Sequence, residues 1–291
     1  MDRRTFLLQT AGATASAVAA GAIRPRALFA QSAPPVADLA SLGLPEVTIA
    51  VDDAGFTAPS GTTAGRLLMT VEHAGGKPLH FFAVRVPDEV SDEQLAADQA
   101  SAAEPAWVDM TKLELLGTPD WPPPGGRAQG VVDVSAGRWM LVDPTDGRDV
   151  ALWTVGAGSG GAPAAEPAAD VEVGLAEMDF TGLDRPVPAG PRVWKITNRG
   201  ALEHELALLP VPAGSTKDSV VQAIADLLQG KGDPSQFAPV GGQGIASKGV
   251  TSWQRFDLEP GTYAAVCMSP MPGTDYAPHA LEGMVEVFTV R

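Results

Sequence analysis

Two long stretches of this chain repeat each other, and this repeat limits what the sequence can fold into. Residues 133–139 (DVSAGRW) match residues 257–263 (DLEPGTY), and residues 78–84 (PLHFFAV) match residues 202–208 (LEHELAL). Short segments of alternating polarity, separated by turn residues at this spacing, are typical of antiparallel β-sandwiches. The sequence therefore predicts an all-β fold with two tandem antiparallel β-sandwich domains of the Greek-key type.

The repeat also predicts the domain boundaries. The first domain is expected over residues 45–155 and the second over residues 170–291, joined by a Gly/Ala/Pro-rich linker at residues 156–169. Each domain is expected to contain a short helix, at residues 91–100 in the first and after a capping-box-like start at Ser215 in the second. The pattern leaves open whether the two sandwiches pack together or move on the linker.

The N-terminus predicts export from the cytoplasm. Arg3 and Arg4 precede Phe6, Leu7 and a short apolar run rich in alanine and glycine. This pattern is typical of a twin-arginine signal peptide, here over residues 1–30, and the run is too short to span a bilayer stably. The mature protein is therefore expected to be periplasmic or extracytoplasmic, with no stable membrane span after signal cleavage.

The charge of the chain limits its partners. The net charge is −15, and residues 1–30 carry a net +3, so their removal would leave −18. An acidic body of this kind disfavours nucleic acids and anionic membrane surfaces. A protein partner that is attracted electrostatically is expected to present a basic face.

The strand pattern places one histidine and the single cysteine on inward-facing positions of the second copy. His204, Leu206 and Leu208 share one face of their strand, because successive side chains alternate between faces. Cys267 ends the strand of the last hairpin and lies on the same face as Tyr263. A lone cysteine in an exported chain has no intrachain disulfide partner, so it is expected to be buried, bound to a metal or paired between molecules.

The residues around Cys267 resemble a known metal-binding pattern. An early-strand His204 is followed by Cys267, then by His279, Gly283 and Met284 in a Cys…His-x-x-x-Gly-Met order before the last strand. This order resembles the cupredoxin (blue-copper) family. The resemblance implies one mononuclear copper ion, Cu(I) or Cu(II), held by His204, Cys267, His279 and Met284, since a thiolate, two imidazoles and a weak thioether suit that metal. Eleven residues separate Cys267 from His279, a longer loop than the small electron-transfer members usually have.

Two further features depart from the family pattern. Glu205 follows the first ligand histidine, where the family often has an asparagine that braces the cysteine loop. In the first copy His80 matches that histidine, but Asp143 stands where Cys267 stands in the second, and its loop has neither His nor Met. The first domain is therefore expected to be a degenerate copy without metal ligands, with His80 a packed residue inherited with the fold. His73, near a turn, is expected to be solvated.

Three functions remain open at this point. The first is electron transfer through one copper ion, which would need His279 near the surface within an apolar patch formed by residues 278–281. The second is storage or delivery of Cu(I), for which Met268 and Met271 would add soft donors. The third is a metal-free cupredoxin-fold binding or scaffold module.

An enzyme is not expected. Multicopper oxidases and nitrite reductases repeat the same kind of domain, but their further copper centres need His-x-His pairs or several histidines. This chain has four histidines and no such pair. The motifs of common hydrolases and of phosphate-binding loops are also absent from the sequence.

Overall fold

The structure is a computed structural model, and it describes residues 39–100, 107–108, 112–143, 150–158, 164–233, 237–274 and 277–291. We refer to the described residues up to 158 as the first half and to those from 164 as the second half. The predicted export signal at residues 1–30 and residues 159–163 of the predicted linker lie outside the described residues. The helices are α1 (Asp92–Ala100) and α2 (Lys217–Leu228), with short 3-10 turns at Leu39–Leu42 and His279–Glu282.

Strands make up most of the regular structure in both halves. The strands of the first half are β1 (Glu46–Val51), β2 (Phe56–Thr57), β3 (Thr62–Thr63), β4 (Gly65–His73), β5 (Phe82–Val86), β6 (Pro119–Asp120), β7 (Arg127–Val134), β8 (Gly137–Val142) and β9 (Ala151–Gly156). The strands of the second half are β10 (Val171–Ala176), β11 (Asp179–Thr181), β12 (Gly190–Asn198), β13 (His204–Val211), β14 (Gly242–Ala246), β15 (Thr251–Leu258), β16 (Gly261–Val266) and β17 (Val285–Val290).

One sheet of eight strands runs through both halves. Its order is β11-β10-β12-β15-β7-β4-β1-β2, so that four strands come from each half. A four-stranded sheet, β3-β9-β8-β5, belongs to the first half, and a five-stranded sheet, β17-β16-β13-β14-β6, belongs mainly to the second. The two halves therefore form one continuous structure through their sheets, which answers the question that the linker sequence left open.

Each half has its own hydrophobic core on the same face of the eight-stranded sheet. In β4, Leu67 and Met69 face the first core, while Leu68 between them faces the opposite side of the sheet. The second core contains Trp194 and Phe256 from the shared sheet. Large buried side chains of this kind stabilise strongly, since replacing a buried Trp or Phe by alanine costs about 3–5 kcal/mol.

The halves meet where β7 pairs with β15 in antiparallel register. Val132 pairs with Ser252, Val131 with Trp253, and Gly130 with Gln254. Gly130 and Gln254 lie three residues before Asp133 and Asp257, which are equivalent in the repeat. Equivalent positions of the sequence repeat therefore pair with each other here, as they would about a local two-fold axis.

The first half also reaches into the smaller sheet of the second half. β6 pairs with β14, with Asp120 opposite Gly242 and Pro119 opposite Gln243. Nearby, the Leu115 N–H donates to Ser247 Oγ at 2.9 Å. The segment before β7 is therefore an arm that packs on the second half, and it carries Asp120 to the junction.

The predicted all-β fold with β-sandwiches is confirmed, with one refinement. The sheets are mixed, because β1 pairs with β4, β10 with β12 and β3 with β9 in parallel. The residues between β1 and β4 number a dozen or so, which is long enough for the crossover that a parallel pair needs.

The two predicted helices are present, and α2 begins slightly later than its sequence indicated. Thr216 rather than Ser215 is its N-cap, and its hydroxyl accepts a hydrogen bond from the Ser219 N–H. Ser219 completes the capping box in place of Asp218. Among the described residues, neither α-helix nor any other helix combines the length and hydropathy that crossing a membrane requires.

We predict that Gly130→Ala destabilises the chain at the junction between the halves. A Cβ at Gly130 would lie 2.2 Å from Gln254 Oε1 and 2.9 Å from the backbone oxygen of Trp253. Crowding of this kind typically costs about 1–3 kcal/mol, to be measured by urea unfolding of the metal-free protein. Gly156→Ala is the matched control in a strand, because its added Cβ would lie 3.6 Å from its nearest neighbour. Equal unfolding free energies for the two variants would contradict the prediction.

Candidate metal centre

The structure brings three of the predicted ligands together in the second half. His204 begins β13, Cys267 directly follows β16, and His279 begins the second 3-10 turn. All three side chains are buried, with exposed fractions of 1% or less. Their ligand atoms all lie within 4.8 Å of one another, the only such cluster of His, Cys, Asp or Glu found in the described part of the chain.

The donor atoms face one another directly. Cys267 Sγ lies 3.9 Å from His204 Nδ1 and 3.5 Å from His279 Nδ1, and the two Nδ1 atoms are 3.1 Å apart. Each Nε2 atom is buried and has no hydrogen-bond partner. A thiol and two imidazoles that converge through single atoms form a donor set that suits copper, so the predicted cofactor is supported by this geometry.

The long loop between Cys267 and His279 is closed at its base, which explains how the two residues meet. The His279 N–H donates to Ser269 O at 2.9 Å, and the Ala280 N–H donates to Cys267 O at 2.8 Å. Above this base the Met271 N–H donates to Ala277 O at 2.8 Å. These hydrogen bonds bring the two ends of the loop together, so its length does not separate Cys267 from His279.

Met284 lies beside the cluster, but its role as a ligand remains a prediction. Its side chain is fully buried in the same core cluster as Cys267. Its N–H donates to His279 O at 3.0 Å, and its carbonyl accepts from the Cys267 N–H at 3.2 Å. Gly283, with φ of 94°, provides the left-handed turn that brings Met284 back toward the ligands.

Burial sets the protonation of the metal-free site. It lowers the pKa of His204, and burial together with the charge of His204 lowers the pKa of His279 to about 4. Burial and the charge of Glu205 raise the pKa of the Cys267 thiol to about 12. Near pH 7 both imidazoles therefore keep a free lone pair, whereas the thiol needs a bound cation before it can ionise.

A carboxylate lies behind His204. Glu177 Oε1 is 3.9 Å from His204 Nε2, and the same carboxylate accepts hydrogen bonds from the backbone N–H groups of Ala201 and Leu202. These backbone hydrogen bonds are the main reason that the pKa of Glu177 is lowered. Outer groups of this type commonly orient metal-bound imidazoles.

Asn198 shapes the turn that leads to His204. Its side-chain amide donates to Leu202 O and Ala246 O, both at 2.8 Å, and its side-chain oxygen accepts from the Gly200 N–H at 2.9 Å. The side chain is fully buried. Asn198 therefore satisfies several backbone groups of this turn at once, which holds the start of β13 in place.

The surface patch expected around His279 is not present, and this expectation was wrong. His279 is 1% exposed, Ala280 is fully buried, and Pro278 is also buried. The reason is α2, since Val220 and Ile224 of this helix pack in one cluster with Ala280. The sequence identified the helix but gave no sign of the surface on which it packs.

The first half contributes a buried ionic cluster next to the metal centre, which we call the junction triad: His80, Asp120 and Glu205. His80 Nδ1 lies 2.6 Å from Asp120 Oδ2, and His80 Nε2 lies 3.5 Å from Glu205 Oε2. Asp120 and Glu205 are 0% and 1% exposed, and the His80 side chain is 16% exposed. His80 is packed, as the sequence predicted, but it also faces two buried carboxyl groups, which the repeat did not indicate.

Charge and burial compete within the junction triad. Burial alone would lower the pKa of His80, but the charges of Asp120, Glu205 and Asp143 outweigh it and raise the pKa to about 9. Burial raises the pKa of Glu205 to about 7, against the opposing effect of the His80 charge. His80 is therefore a cation at neutral pH.

His73 is buried, contrary to the expectation that it would be solvated. Its exposed fraction is 1%, and its Nδ1 lies 3.4 Å from Pro122 O. It is the last residue of β4, and its N–H donates to Gly126 O. The glycine turn after it suggested exposure, but the loop at residues 122–126 covers this end of the strand.

Sequence reasoning missed Asp120 and the role of Glu205. The alternation along β13 correctly placed Glu205 on the face opposite His204, but it did not show that the first half covers this face. One signal was available, since Glu205 is a charged residue within an otherwise apolar strand. Asp120 carried no such signal, because only the pairing of β6 with β14 brings it to the junction.

Comparisons with known proteins give weak similarities. A scan against protein-family models found no match, and a search of curated proteins found none. Among solved structures, the chain is similar to a reduced auracyanin from the photosynthetic bacterium Roseiflexus castenholzii, with 16% identity, 43% of this chain and 99% of that chain covered, and a TM-score of 0.31. Auracyanin B is 20% identical to this chain, with 44% of this chain and 93% of that chain covered, and a TM-score of 0.28.

Larger proteins also resemble this chain. A multi-copper oxidase from Pediococcus acidilactici is 11% identical, with 86% of this chain and 59% of that chain covered, and a TM-score of 0.24. At TM-scores this low, none of these similarities bears on what the chain does. The case for metal binding therefore rests on the side-chain geometry.

We predict that the metal-free protein loses stability between pH 7 and 9. A pKa that is higher in the folded chain than in the unfolded chain stabilises the fold at low pH, and this stabilisation is lost as the pH rises through the folded value. For His80 the loss runs from its ordinary value of 6.5 to about 9. The raised pKa of Glu205, about 7, affects stability only below this window. The pKa of Cys267, raised from 9.0 to about 12, affects stability only above it.

The measurement is urea unfolding at several pH values. The double change His80→Gln/Glu205→Gln, which removes the histidine and the carboxyl group whose pKa the His80 charge lowers, should remove most of the slope of unfolding free energy between pH 7 and 9. His73→Gln, a change at another buried histidine of the same half, should leave the slope in place. A wild-type curve that is flat or rises over this window would contradict the assignment.

Proposed function

We propose that this chain is an exported copper-binding protein that carries electrons through one mononuclear copper in its second half. The observation that carries the proposal is the buried convergence of His204 Nδ1, Cys267 Sγ and His279 Nδ1 within 4.8 Å. Met284 is proposed as the weak axial ligand. When bound, copper supplies a one-electron Cu(I)/Cu(II) couple, which suits a thiolate with two imidazoles.

The protein residues prepare this site before any metal is bound. The two imidazoles are neutral near pH 7, because burial lowers their pKa values, and their facing Nδ1 atoms already point at the thiol. Their exposed fractions of 1% or less exclude water from the ligand atoms. A preformed and buried ligand set needs little rearrangement when the charge of the metal changes, which favours electron transfer. Because the exposed patch around His279 is absent, electrons would have to reach the metal through the residues that cover this histidine.

The hydrogen bonds at the base of the loop favour a copper ion that stays bound over one that the protein stores or delivers. Hydrogen bonds from His279 N–H to Ser269 O and from Ala280 N–H to Cys267 O hold the two loop ligands together. Release of the metal would require breaking this base and moving α2, which packs against the turn that begins at His279. Storage or delivery of Cu(I) is therefore the second candidate.

Export and the choice of partner are further parts of the proposal. The twin-arginine pattern at residues 1–30 supports a periplasmic or extracytoplasmic location. The net charge of −15 supports a redox partner with a basic face. We propose no catalytic reaction for the chain.

Titration of the purified protein with Cu(II) tests the function. We expect one equivalent to produce an intense thiolate-to-copper charge-transfer band and a matching electron paramagnetic resonance signal. Cys267→Ser should lose the band, because serine offers no thiolate, and His279→Gln should lose or strongly shift it. His73→Gln is the matched control, since His73 and His279 are both 1% exposed.

The outcomes separate the three functions that the sequence left open. A charge-transfer band that disappears on reduction and returns on oxidation supports electron transfer. Tight Cu(I) binding without a coloured Cu(II) form would favour storage or delivery. Failure to bind either ion in stoichiometric amount would leave the metal-free binding module and would reject the proposal.

The axial role of Met284 has its own test. Met284→Leu should keep the copper and the charge-transfer band but change the reduction potential, because leucine fills the space without a donor atom. Met69→Leu is the matched control, since both methionines are fully buried core residues. Cyclic voltammetry of the two copper-loaded variants makes the comparison, and equal potentials would remove Met284 from the ligand set.

A further inference from the structure

The junction triad has a direct connection to the metal ligands through Glu205. One carboxylate oxygen of Glu205 accepts a hydrogen bond from the Met268 N–H at 2.8 Å. The Glu205 N–H lies 3.5 Å from Cys267 Sγ in donating geometry. Glu205 therefore contacts both the ligand sulfur and the peptide group that follows it, while its chain neighbour His204 is itself a proposed ligand.

The buried carboxyl group of Glu205 needs a polar partner, and the structure supplies one from the first half. The second carboxylate oxygen of Glu205 has no hydrogen bond, but it lies 3.5 Å from His80 Nε2, which is an ion-pair distance. A buried polar atom without a partner is costly, so this oxygen depends on its contact with the His80 ring. His80 thus holds the side of Glu205 that the cysteine loop does not hold.

His80 is itself fixed from two sides. Asp120 Oδ2 lies 2.6 Å from His80 Nδ1, and Asp120 Oδ1 accepts hydrogen bonds from the N–H groups of Phe81 and Trp121. The ring of Trp121 stacks on the His80 ring, with centroids 4.5 Å apart and planes 6° from parallel. These contacts leave the imidazole with one orientation.

The backbone around Trp121 is built for this contact. Trp121 has a φ of 52°, in the left-handed region that residues other than glycine rarely adopt. A Cβ at Gly242 of the second half would lie 2.4 Å from the Trp121 ring, so the ring packs directly on β14. Strain of this kind persists only where surrounding contacts compensate for it, and it often lies next to functional groups.

We infer that His80, held by Asp120, is a positioning residue for the metal centre of the other half. It orients Glu205, and Glu205 fixes the backbone that follows the Cys267 ligand. The half without a metal is then a working part of the copper site, although none of its residues is a ligand. This inference rests on the proposed copper function.

The copper-loaded full chain gives the first test. His80→Phe keeps a flat ring to stack on Trp121 but removes both ring nitrogens. We expect copper affinity to fall by at most the about 10- to 100-fold typical for loss of a direct partner of a ligand, because His80 acts through Glu205, and the charge-transfer band and reduction potential should shift. His73→Phe is the matched control, because His73 is a buried histidine of the same half whose described contact is with Pro122 O. It should leave the affinity, the band and the potential unchanged even where it lowers stability.

A double-mutant cycle shows whether His80 acts through Glu205. Glu205→Gln keeps an acceptor for the Met268 N–H but removes the charge that His80 faces. Adding His80→Phe to this variant should cause little further change in affinity or potential, because the contact is already lost. The double variant lacks the Glu205 carboxylate but leaves that of Asp120 without its partner, so Asp120→Asn is added to it if His80→Phe alone does not fold. Full additivity of the two changes would show that His80 acts by another route.

Hydrogen exchange of the metal-free protein separates this inference from the copper function itself. The Met268 amide should exchange faster in His80→Phe than in the wild type or in His73→Phe, because its acceptor is no longer held. If the wild type takes up no copper, the proposed function fails, and this exchange alone decides whether His80 fixes the loop. A folded His80→Phe protein with wild-type copper affinity and potential overturns the inference, as does unchanged exchange at Met268.

Discussion

The antiparallel pairing of β7 with β15 is the interaction on which the arrangement of the whole chain depends. It joins the four-stranded parts of the two halves into one sheet and covers an edge strand of each. Because paired residues point to the same side, both cores lie on one face of this sheet, and the two smaller sheets lie side by side. The arm that carries Asp120 reaches β14 only because of this placement. The contact between His80 and Glu205 is a consequence of the same geometry.

The face between the two cores is polar, in contrast to the cores themselves. Ser252, Gln254 and Gln243 are buried here, together with the carboxyl groups of Asp120 and Glu205. Where these groups are paired across the junction, they specify one relative position of the halves more narrowly than apolar packing would, whereas the side-chain amide of Gln243 has no hydrogen bond. The Gln254 amide, for example, donates to Gly117 O and Ser252 Oγ, which lie in different halves. The metal centre lies beside this junction and depends on the same precision.

The sequence predicted correctly those features that depend on the local residue pattern and on the repeat. Strand alternation placed His204 and Cys267 inward, and the hairpin match at Gly137 and Gly261 located the strands correctly. The convergence of His279 with these two could be expected only through resemblance, because an eleven-residue loop can close in many ways and its basal hydrogen bonds are not encoded in any short motif. The burial of His279 under α2 and the contacts of His80 could not be predicted, since both depend on surfaces that meet over large sequence separations.

The paired residues Gly130 and Gln254, which are equivalent in the sequence repeat, show what such a repeat within one chain permits. In an assembly of identical subunits, the residue next to a two-fold axis meets its own duplicate, so both must fit at once. Here Gln254 extends into space that is open because its counterpart is Gly130, and an atom added at Gly130 would collide with it. A symmetric dimer could not pair a long side chain with a glycine at this position, because both subunits would carry the same residue. The same asymmetry lets the counterpart of Glu205 be the apolar Phe81, so that one carboxylate serves one metal centre.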